Sequence, residues 1–307
     1  MKKYLWGILF GLALAAFTVY VLLDTFVITR VYTTLTDGDG SASPIVTGDN
    51  TDGSSTTQPD SSSAVLTENS YSDENISITI TEYRANYTTI YVADVQLASA
   101  EYIQTAFAQG AYGKNVTEKT SEIAVDNDAI LAVNGDYYGA QEKGYVIRNG
   151  VLYRNTASSN QEDLVIYADG SFEIIVEESI SAQDLLNAGA QQVLSFGPAL
   201  VTDGQVCVTE DEEVGKAKTS NPRTAIGIIE ELHYVFVVSD GRTEESDGLS
   251  LYELAQFMQS LGVETAYNLD GGGSSTMVFN GKVVNNPTSS GRSIEERSVS
   301  DIVYIGY

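Results

Sequence analysis

Residues 268–276 read Asn-Leu-Asp-Gly-Gly-Gly-Ser-Ser-Thr and lie between two apolar runs, one ending at Leu269 and one beginning at Met277. Three consecutive glycines lose much backbone entropy on folding, so they predict a positive φ or a close approach of other atoms to this backbone. Asp270 places a carboxylate beside bare amide groups. The combination suits a polar ligand such as a sugar or a phosphate, and a tight glycine turn between strands is the alternative.

An amphipathic helix is predicted immediately before this segment, over Leu251–Leu261. Its apolar residues recur on one face, Ser250 and Glu253 form a capping box, and Gly262 terminates it. Two further helices are predicted, over Ala182–Ala188 and around Ser121–Asp126.

Runs of β-branched and aromatic residues dominate the rest of the chain after residue 74 and predict strands. Asn149-Gly150, Asn280-Gly281 and the segment Ala168–Ser171 predict hairpin turns. Many strands with two or three helices indicate an α+β domain with a large mixed β-sheet core. The predicted strands are Ile76–Thr81, Ile90–Leu97, Ile130–Val133, Tyr145–Arg148, Leu164–Tyr167, Phe172–Val176, Val193–Phe196, Ala199–Thr202, Thr224–Ile229, Tyr234–Ser239 and Ile302–Ile305.

The amino-terminal residues 1–30 predict a cytoplasmic tip followed by a single transmembrane signal anchor. Residues Tyr4–Leu23 carry no charge, and a helix of this length spans about 30 Å, the thickness of a bilayer's hydrocarbon core. Lys2 and Lys3 favour an orientation with the remainder of the chain outside the cytoplasm. A cleaved signal peptide is the alternative, since Ala13-Leu14-Ala15 resembles a cleavage site, but the apolar run continues beyond it.

Residues 31–73 are rich in Gly, Ser, Thr and Asp, and no Lys or Arg lies between Arg30 and Arg84. Such a composition buries too little apolar surface to order itself, so it predicts a flexible stalk. Residues 74–307 are then one large domain on the outer side of the cell membrane.

Composition excludes several functional classes. The net charge of −26 argues against binding to nucleic acid. Cys207 is the only cysteine and is expected in a buried strand, and His233, the only histidine, is expected in an ordinary strand. One Cys and one His exclude a typical zinc site, although acidic loops could hold a hard cation such as calcium.

Polar groups concentrate where predicted strands end or begin. Asn134-Gly135-Asp136 closes one strand, Arg223-Thr224 opens another, Asp240-Gly241-Arg242 follows a third, and the Asp270 loop follows a fourth. Arg297 precedes the last strand. A guanidinium can form a bidentate contact with phosphate or carboxylate, so arginines beside carboxylates in so acidic a chain suggest an anionic substrate group.

The order of these segments resembles the phosphodiester glycosidase family. The resemblance rests on Asn134–Tyr138, Phe196–Leu200, Pro222–Gly227, Asp240–Arg242 and Asn268–Ser275 with its preceding helix, and it covers roughly residues 75–307. The last strand departs from the family's frequent Arg-Pro-Val-Ala-Asn, because Arg297 is followed by Ser-Val-Ser and Asp301. The resemblance implies an enzyme that cleaves a sugar-1-phosphodiester bond in envelope or exopolysaccharide material.

Cleaving this bond forms an oxocarbenium-like centre and expels a phosphate monoester, which neighbouring arginines can stabilise in place of an acid. We expect Asp270 to act as base or nucleophile, with Asp136 and Asp240 as alternates or supporting acids. The expected substrate-binding residues are Asn134, Arg223, Thr224, Arg242, Gly271, Gly272, Gly273, Ser274, Ser275 and Arg297. Two alternatives remain open: a transferase that attaches wall glycopolymers, and a non-catalytic polysaccharide-binding protein.

Overall fold

The computed structural model of the protein describes residues 2–32, 64–214 and 220–307. Within these ranges the α-helices are Lys2–Phe26 (α1), Thr120–Asp126 (α2), Ala182–Asn187 (α3) and Leu251–Ser260 (α4). Short 3₁₀ turns cover Ala100–Tyr102, Ala108–Gly110, Tyr138–Ala140 and Gly272–Ser274. The predicted helices of the globular part are confirmed, and Ser250 accepts from the backbone of Glu253 as its capping box requires.

Strands are the most abundant regular structure in the described residues, and each of the predicted strands is present. Their bounds are Arg30–Val31 (β1), Val65–Leu66 (β2), Ser70–Ser72 (β3), Ile76–Ala85 (β4), Thr88–Leu97 (β5), Ile103–Phe107 (β6), Gly113–Lys114 (β7), Leu131–Asn134 (β8), Val146–Arg148 (β9), Val151–Arg154 (β10), Glu162–Tyr167 (β11), Phe172–Val176 (β12), Ala190–Leu194 (β13), Ala199–Thr202 (β14), Gln205–Val206 (β15), Arg223–Glu230 (β16), His233–Ser239 (β17), Thr265–Asn268 (β18), Met277–Phe279 (β19), Lys282–Val283 (β20) and Asp301–Ile305 (β21).

The strands form three large sheets rather than one. A nine-stranded sheet has the order β15-β14-β18-β16-β17-β5-β4-β3-β2, and two five-stranded sheets have the orders β20-β19-β8-β21-β6 and β10-β9-β13-β11-β12. A two-stranded pair, β1-β7, completes the described part. The expected mixed pairing is wrong, because every pair of these named strands is antiparallel. Hairpins and return connections, rather than crossover helices, join the neighbouring strands.

The central strand β17 is buried on both faces, which explains its continuous apolar sequence. Tyr234 and Phe236 face a core shared with the five-stranded sheets. Val235 and Val237 face the opposite way, against the apolar side of α4. The large sheet is therefore a middle layer, with α4 on one face and the smaller sheets on the other.

The amino-terminal expectations have mixed outcomes. In the part of the chain that the structure describes, no helix is long and apolar enough to cross a membrane, so the expected anchor is not supported by α1 and stays a prediction. Residues 33–63 of the expected stalk lie outside the described residues. Residues 64–73 contain β2 and β3, which extend the large sheet beside β4, so the folded domain begins before Glu74.

Candidate functional site

The strand ends that carry polar residues meet along one edge of the fold. Arg223 pairs with Ser239, and Ala225 pairs with Asn268, so the start of β16 lies beside the ends of β17 and β18. In the neighbouring five-stranded sheet, Ile302 pairs with Asn134, which places the start of β21 beside the end of β8. Antiparallel register therefore brings these segments to one edge of the fold.

Asn134 links the two sheets at this edge. Its Nδ2 donates to the Asp270 carbonyl at 2.6 Å, and its Oδ1 accepts from Thr224 Oγ1 at 2.8 Å and from the Thr276 amide at 3.2 Å. Asn134 and Thr224 are both fully buried. We had expected both to bind substrate, but their side chains are consumed in holding the Asp270 loop in place, which is a positioning role.

Each glycine of the loop is approached closely by another part of the chain. A Cβ on Gly271 would lie 3.0 Å from the Pro222 carbonyl, and one on Gly272 would lie 2.8 Å from Arg242 Nη2. A Cβ on Gly273 would lie 2.2 Å from Ser289 Oγ. Gly272 also has a φ of +64°, which favours glycine. The predicted close approach to this backbone is therefore confirmed, and the approaching atoms belong to other segments of the same chain.

Asp270 forms the polar centre of the site. Its Oδ2 accepts from Ser274 Oγ at 2.6 Å and from Arg297 Nη2 at 3.0 Å. Arg297 Nε also donates to Ser274 Oγ at 2.9 Å. The Asp270 side chain keeps 13 % of its exposure and that of Arg297 keeps 46 %, so both can meet a ligand.

These residues line a cavity of about 160 Å³. Of the expected site residues, the cavity brings together Asp136, Asp270, Ser274 and Arg297, and Tyr137 also lines it with 46 % of its surface exposed. The volume suits a phosphate group or part of one sugar ring, since sites that enclose larger ligands begin at about 300 Å³.

Burial raises the pKa of Asp270 above its ordinary value, while the charge of Arg297 and the hydrogen bond from Ser274 partly oppose this shift. Burial also lowers the pKa of Arg242, and repulsion from Arg297 and Arg223 lowers it further. Arg242 is therefore close enough to the other two guanidinium groups for their charges to act on it. Arg223 and Arg297 are each paired with a carboxylate, whereas Arg242 bonds a carbonyl and an amide oxygen, so its charge favours an anion at this edge.

Asp136 has a different environment from the one we expected of a catalytic carboxylate. Its side chain is fully buried, and its Oδ2 accepts from Arg148 Nη2 at 2.8 Å and from the Ser195 amide at 2.9 Å. Arg148 also pairs with Asp301 Oδ2 at 2.8 Å. Asp136 thus belongs to a buried Asp–Arg–Asp triad, and its carboxylate does not reach the cavity.

Asp240 likewise supports the site from beneath. It is almost fully buried, and its Oδ1 accepts from the Asn286 amide at 2.8 Å while its Oδ2 accepts from Asn286 Nδ2 at 2.9 Å. Asn285 in turn donates to the Ser275 carbonyl at 3.0 Å. Ser275 is fully buried, so it too lies behind the surface of the cavity.

Arg223 and Arg242 stand beside the cavity with most of their donors engaged. Arg223 is buried, pairs with Glu213 at 2.5 Å and donates through Nε to the Leu249 carbonyl. Arg242 donates to the Ser289 carbonyl at 2.7 Å and to Asn221 Oδ1 at 2.8 Å. In this arrangement Arg297 is the most accessible of the three arginines.

Other sequence-based expectations concern metals and the single Cys and His. Within residues 2–32, 64–214 and 220–307, no group of three or more His, Cys, Asp or Glu side chains is arranged to hold a metal ion, so calcium stays a prediction without support. His233 opens β17, at the opposite end from Asp240, and pairs with Asp94 at 3.1 Å. Cys207 was expected in a buried strand, but it follows β15 and is exposed.

The sequence analysis assigned no role to Arg148, Asp301 or Glu213. Arg148 precedes an Asn-Gly turn, where a charged residue usually points to solvent, and nothing in its neighbourhood marks it as buried. The one available signal was Asp301, the acidic residue at the position where the family's last strand often has Asn. Its carboxylate lies against Gly135, where a Cβ would come within 2.3 Å of Asp301 Oδ1.

Comparisons with known proteins agree with this fold. Residues 127–306 match the model of the phosphodiester glycosidase family. The chain is 28% identical over 201 residues to an uncharacterized SPbeta prophage-derived protein, YomE, of Bacillus subtilis, which covers 64% of this chain and 31% of that protein. It is 28% identical over 184 residues to mouse N-acetylglucosamine-1-phosphodiester alpha-N-acetylglucosaminidase, covering 54% of this chain and 35% of the mouse protein.

The fold is similar to that of the zebrafish N-acetylglucosamine-1-phosphodiester alpha-N-acetylglucosaminidase catalytic domain auto-inhibited by its pro-peptide. The TM-score is 0.60 at 21% identity, over 76% of this chain and 83% of that one. Aligned segments cover only about a third of the length of the curated relatives. Because the family match spans more than half of the residues, and includes the Asp270 loop and Arg297, the chain belongs to the phosphodiester glycosidase family.

Proposed function

We propose that this protein hydrolyses a sugar-1-phosphodiester bond, with Asp270 as the base or nucleophile. The observation that carries the proposal is the Asp270–Arg297 pair at 3.0 Å in a small cavity. A carboxylate and a guanidinium at one accessible point match the two charges of the reaction, since the sugar becomes cationic and the leaving group is a phosphate monoester.

The environment of Asp270 supports this role. Asp270 is the carboxylate of the cavity lining that retains exposure, because the Asp136 side chain is fully buried. Burial raises the pKa of Asp270, which makes its carboxylate a better base, while Arg297 and Ser274 keep the charged form accessible. The ionised carboxylate can then stabilise an oxocarbenium-like centre or attack the anomeric carbon.

Arg297 would hold the phosphate. Its side chain is nearly half exposed, and it donates to Asp270 and Ser274 from one side of the guanidinium. Binding the phosphate oxygens would neutralise the charge on the departing group, which reduces the need for a general acid. Arg242 and Arg223 would strengthen the positive field from behind the loop.

Asp136 and Asp240 then act through other residues. Asp136 accepts hydrogen bonds from Arg148 and from the backbone amide of Tyr138, which fixes the turn that carries Tyr137. Asp240 fixes Asn286, and the adjacent Asn285 donates to the Ser275 carbonyl. Asn134 fixes the Asp270 carbonyl. These contacts hold the reacting carboxylate in one position, which is a requirement for efficient catalysis.

The substrate and the location are further parts of the proposal. The mouse and zebrafish relatives carry a name that specifies N-acetylglucosamine-1-phosphodiesters, so an N-acetylhexosamine phosphodiester is the first substrate to test. The uncharged run Tyr4–Leu23 supports a place of action outside the cytoplasm, on envelope or exopolysaccharide material.

The test is hydrolysis of a panel of sugar-1-phosphodiesters by the full-length protein, comparing the wild type with Asp270→Asn. Release of free sugar by the wild type and its loss in the variant would support the proposal. Turnover only in the presence of a glycan acceptor would identify a transferase instead. Binding without any product would identify a polysaccharide-binding protein, and repeating the assay with a chelator tests for calcium.

A further inference from the structure

A second cavity lies at the far end of the fold from Asp270. It has a volume of about 610 Å³ and is bordered by the segment that leads into β6, by the start of β13 and by Tyr307. Ile103 pairs with Ile305 at the end of β21, whereas Asp301 opens the same strand beside the candidate site. The two cavities are therefore separated by the length of β21.

Two tyrosine rings form one wall of this cavity, which we call the Tyr102–Tyr307 groove. The ring centroids are 5.2 Å apart with an interplanar angle of 71°, an edge-to-face arrangement. The Tyr307 hydroxyl donates to Asp73, and the Gly306 amide donates to the Tyr102 carbonyl at 3.3 Å. Tyr307 nevertheless remains 57 % exposed. An exposed ring that is fixed at its edge and at its hydroxyl is pre-organised for stacking on a ligand.

Amide side chains form the floor. Gln192 Nε2 donates to Asn149 Oδ1 at 2.7 Å. Gln192 Oε1 accepts from the backbone N–H of Asn149 at 2.9 Å and from Thr105 Oγ1 at 2.7 Å. These contacts fix the floor. The neighbouring Gln191 side chain makes no hydrogen bond within the described ranges, and it lines the groove. Its amide can both donate to and accept from a ligand.

The charges of the lining restrict the ligand. The lining contains no Lys or Arg, which disfavours phosphates and carboxylates, and its one acidic residue, Glu101, lies at the exposed rim. Amide and hydroxyl groups also disfavour a purely aliphatic ligand, which would leave them unpaired. Aromatic faces combined with amides match a molecule that has apolar C–H faces and many hydroxyl groups.

We propose that the Tyr102–Tyr307 groove binds a neutral saccharide chain. One sugar ring would stack on Tyr307, and its hydroxyls would bond to the Gln191 amide and to the exposed edge of the amide floor. The volume lies within the range of about 300–1,000 Å³ found for ligand sites and has room for more than one sugar ring. The groove would hold a polymer away from the candidate catalytic cavity, and this role is independent of the proposed hydrolysis.

The test is calorimetric titration of the full-length protein with chitotetraose, cellotetraose and maltotetraose. We expect at least one of these neutral tetrasaccharides to bind, and Tyr307→Ala and Gln191→Ala each to weaken its binding about tenfold. Tyr87→Ala is the matched control, because Tyr87 is 83 % exposed and does not line the groove, and it should leave the affinity unchanged.

Asp270→Asn separates this inference from the proposed function. Hydrolysis should fail in that variant while tetrasaccharide binding persists. The inference is overturned if no tetrasaccharide binds the wild type, if Tyr307→Ala and Gln191→Ala both bind as tightly as the wild type, or if Asp270→Asn abolishes binding. Circular dichroism of Tyr307→Ala checks its fold, and Gln191→Ala keeps the test informative should that fold be disturbed.

Discussion

Arg297 Nη2 donates to Asp270 Oδ2 at 3.0 Å, although the two residues are 27 positions apart in the chain. Ser274 completes a triangle, because its Oγ donates to the same carboxylate oxygen and accepts from Arg297 Nε. The Arg297 amide also donates to the Gly273 carbonyl at 3.3 Å. The segment before β21 is thus fastened to the glycine loop by both backbone and side chain, which fixes the orientation of the ion pair.

Asp270→Asn should reduce hydrolysis of a sugar-1-phosphodiester by about a hundredfold or more, because the amide can act neither as base nor as nucleophile. The side chain keeps its size, so folding should persist. The measurement is kcat/KM together with a thermal unfolding curve. Asp94→Asn is the control, since Asp94 lies half exposed beside His233 at the other end of the sheet, and it should keep wild-type activity. Full activity in Asp270→Asn would refute the assignment.

Arg297→Ala should weaken hydrolysis of phosphodiesters more than hydrolysis of an uncharged aryl glycoside. It should also change the pH profile. Burial raises the pKa of Asp270 and Arg297 lowers it, so removing Arg297 raises that pKa further. Since Asp270 acts in its ionised form, the acid limb of kcat/KM should move to higher pH.

The matched control for that experiment is Arg292→Ala, because Arg292 is exposed in the same segment and does not line the cavity. It should leave both the substrate preference and the acid limb unchanged. An acid limb that stays in place in Arg297→Ala would show that the arginine does not act on the Asp270 carboxylate.

Local sequence signals predicted the framework of this site well, because each acts over a few residues. Ser250 and Glu253 placed the start of α4, and Asn-Gly pairs placed two hairpins where positive φ is needed. The sequence also singled out polar residues at strand ends, and the structure places these ends along one edge of the fold. Antiparallel register brings such ends to one edge whatever their separation along the chain.

Long-range packing could not be predicted in the same way. Asn134, Asp136 and Asp240 were expected to face a substrate, yet each is buried and bonded to another segment. Whether a strand-end side chain points to the cavity or beneath it depends on how two sheets are stacked. A single sequence does not encode that stacking as a local pattern, and the burial of Arg148 between Asp136 and Asp301 is its clearest consequence.

Arg148→Met should destabilise the protein strongly. Arg148 is buried and its single positive charge pairs with both Asp136 and Asp301, so its loss leaves two buried carboxyl groups without a cation. Breaking a buried ion pair on one side costs about 3–5 kcal/mol. Urea unfolding measures the change. Lys114→Met, which removes a surface pair with Glu142, should lose much less stability.

A second variant identifies the cause of that loss. Burial and the neighbouring Asp136 raise the pKa of Asp301, and Arg148 opposes that shift, so the charge on Asp301 becomes still more costly once Arg148 is removed. Adding Asp301→Asn to Arg148→Met should therefore recover part of the lost stability. A double variant no more stable than Arg148→Met would indicate that lost packing, rather than uncompensated charge, dominates.

The free energy of unfolding should decrease as the pH rises, because of the buried carboxyl group of Asp163. Its side chain is fully buried, and when it is ionised neither of its oxygens has a hydrogen-bond partner. The Glu177 carboxyl group lies within hydrogen-bonding reach. Burial, together with Glu177, raises the pKa of Asp163 to about 10. A proton held between the two carboxyl groups satisfies both.

The sign of the effect follows from that raised pKa. An unfolded Asp titrates near pH 4, so the folded state binds the additional proton above this value. The associated stability is fully present below about pH 4 and is lost progressively as the pH rises towards 10. Asp163→Asn carries no titrating proton, and its amide can still donate to Glu177. The decline in unfolding free energy between about pH 5 and pH 9 should therefore be smaller in this variant.

Asp169→Asn provides the control in the same hairpin. Asp169 is exposed, and its hydrogen bonds with Ser171 lower its pKa. Its contribution to the stability of the fold is therefore lost only as the pH falls through the acidic range. Its variant should show the wild-type decline between about pH 5 and pH 9. The unfolding free energy of Asp163→Asn could instead decline as steeply with pH as that of Asp169→Asn. Asp163 would then not hold a proton in the folded protein, and the hydrogen bonds to Glu177 would come from Tyr145, Ser158 and Ser195 alone.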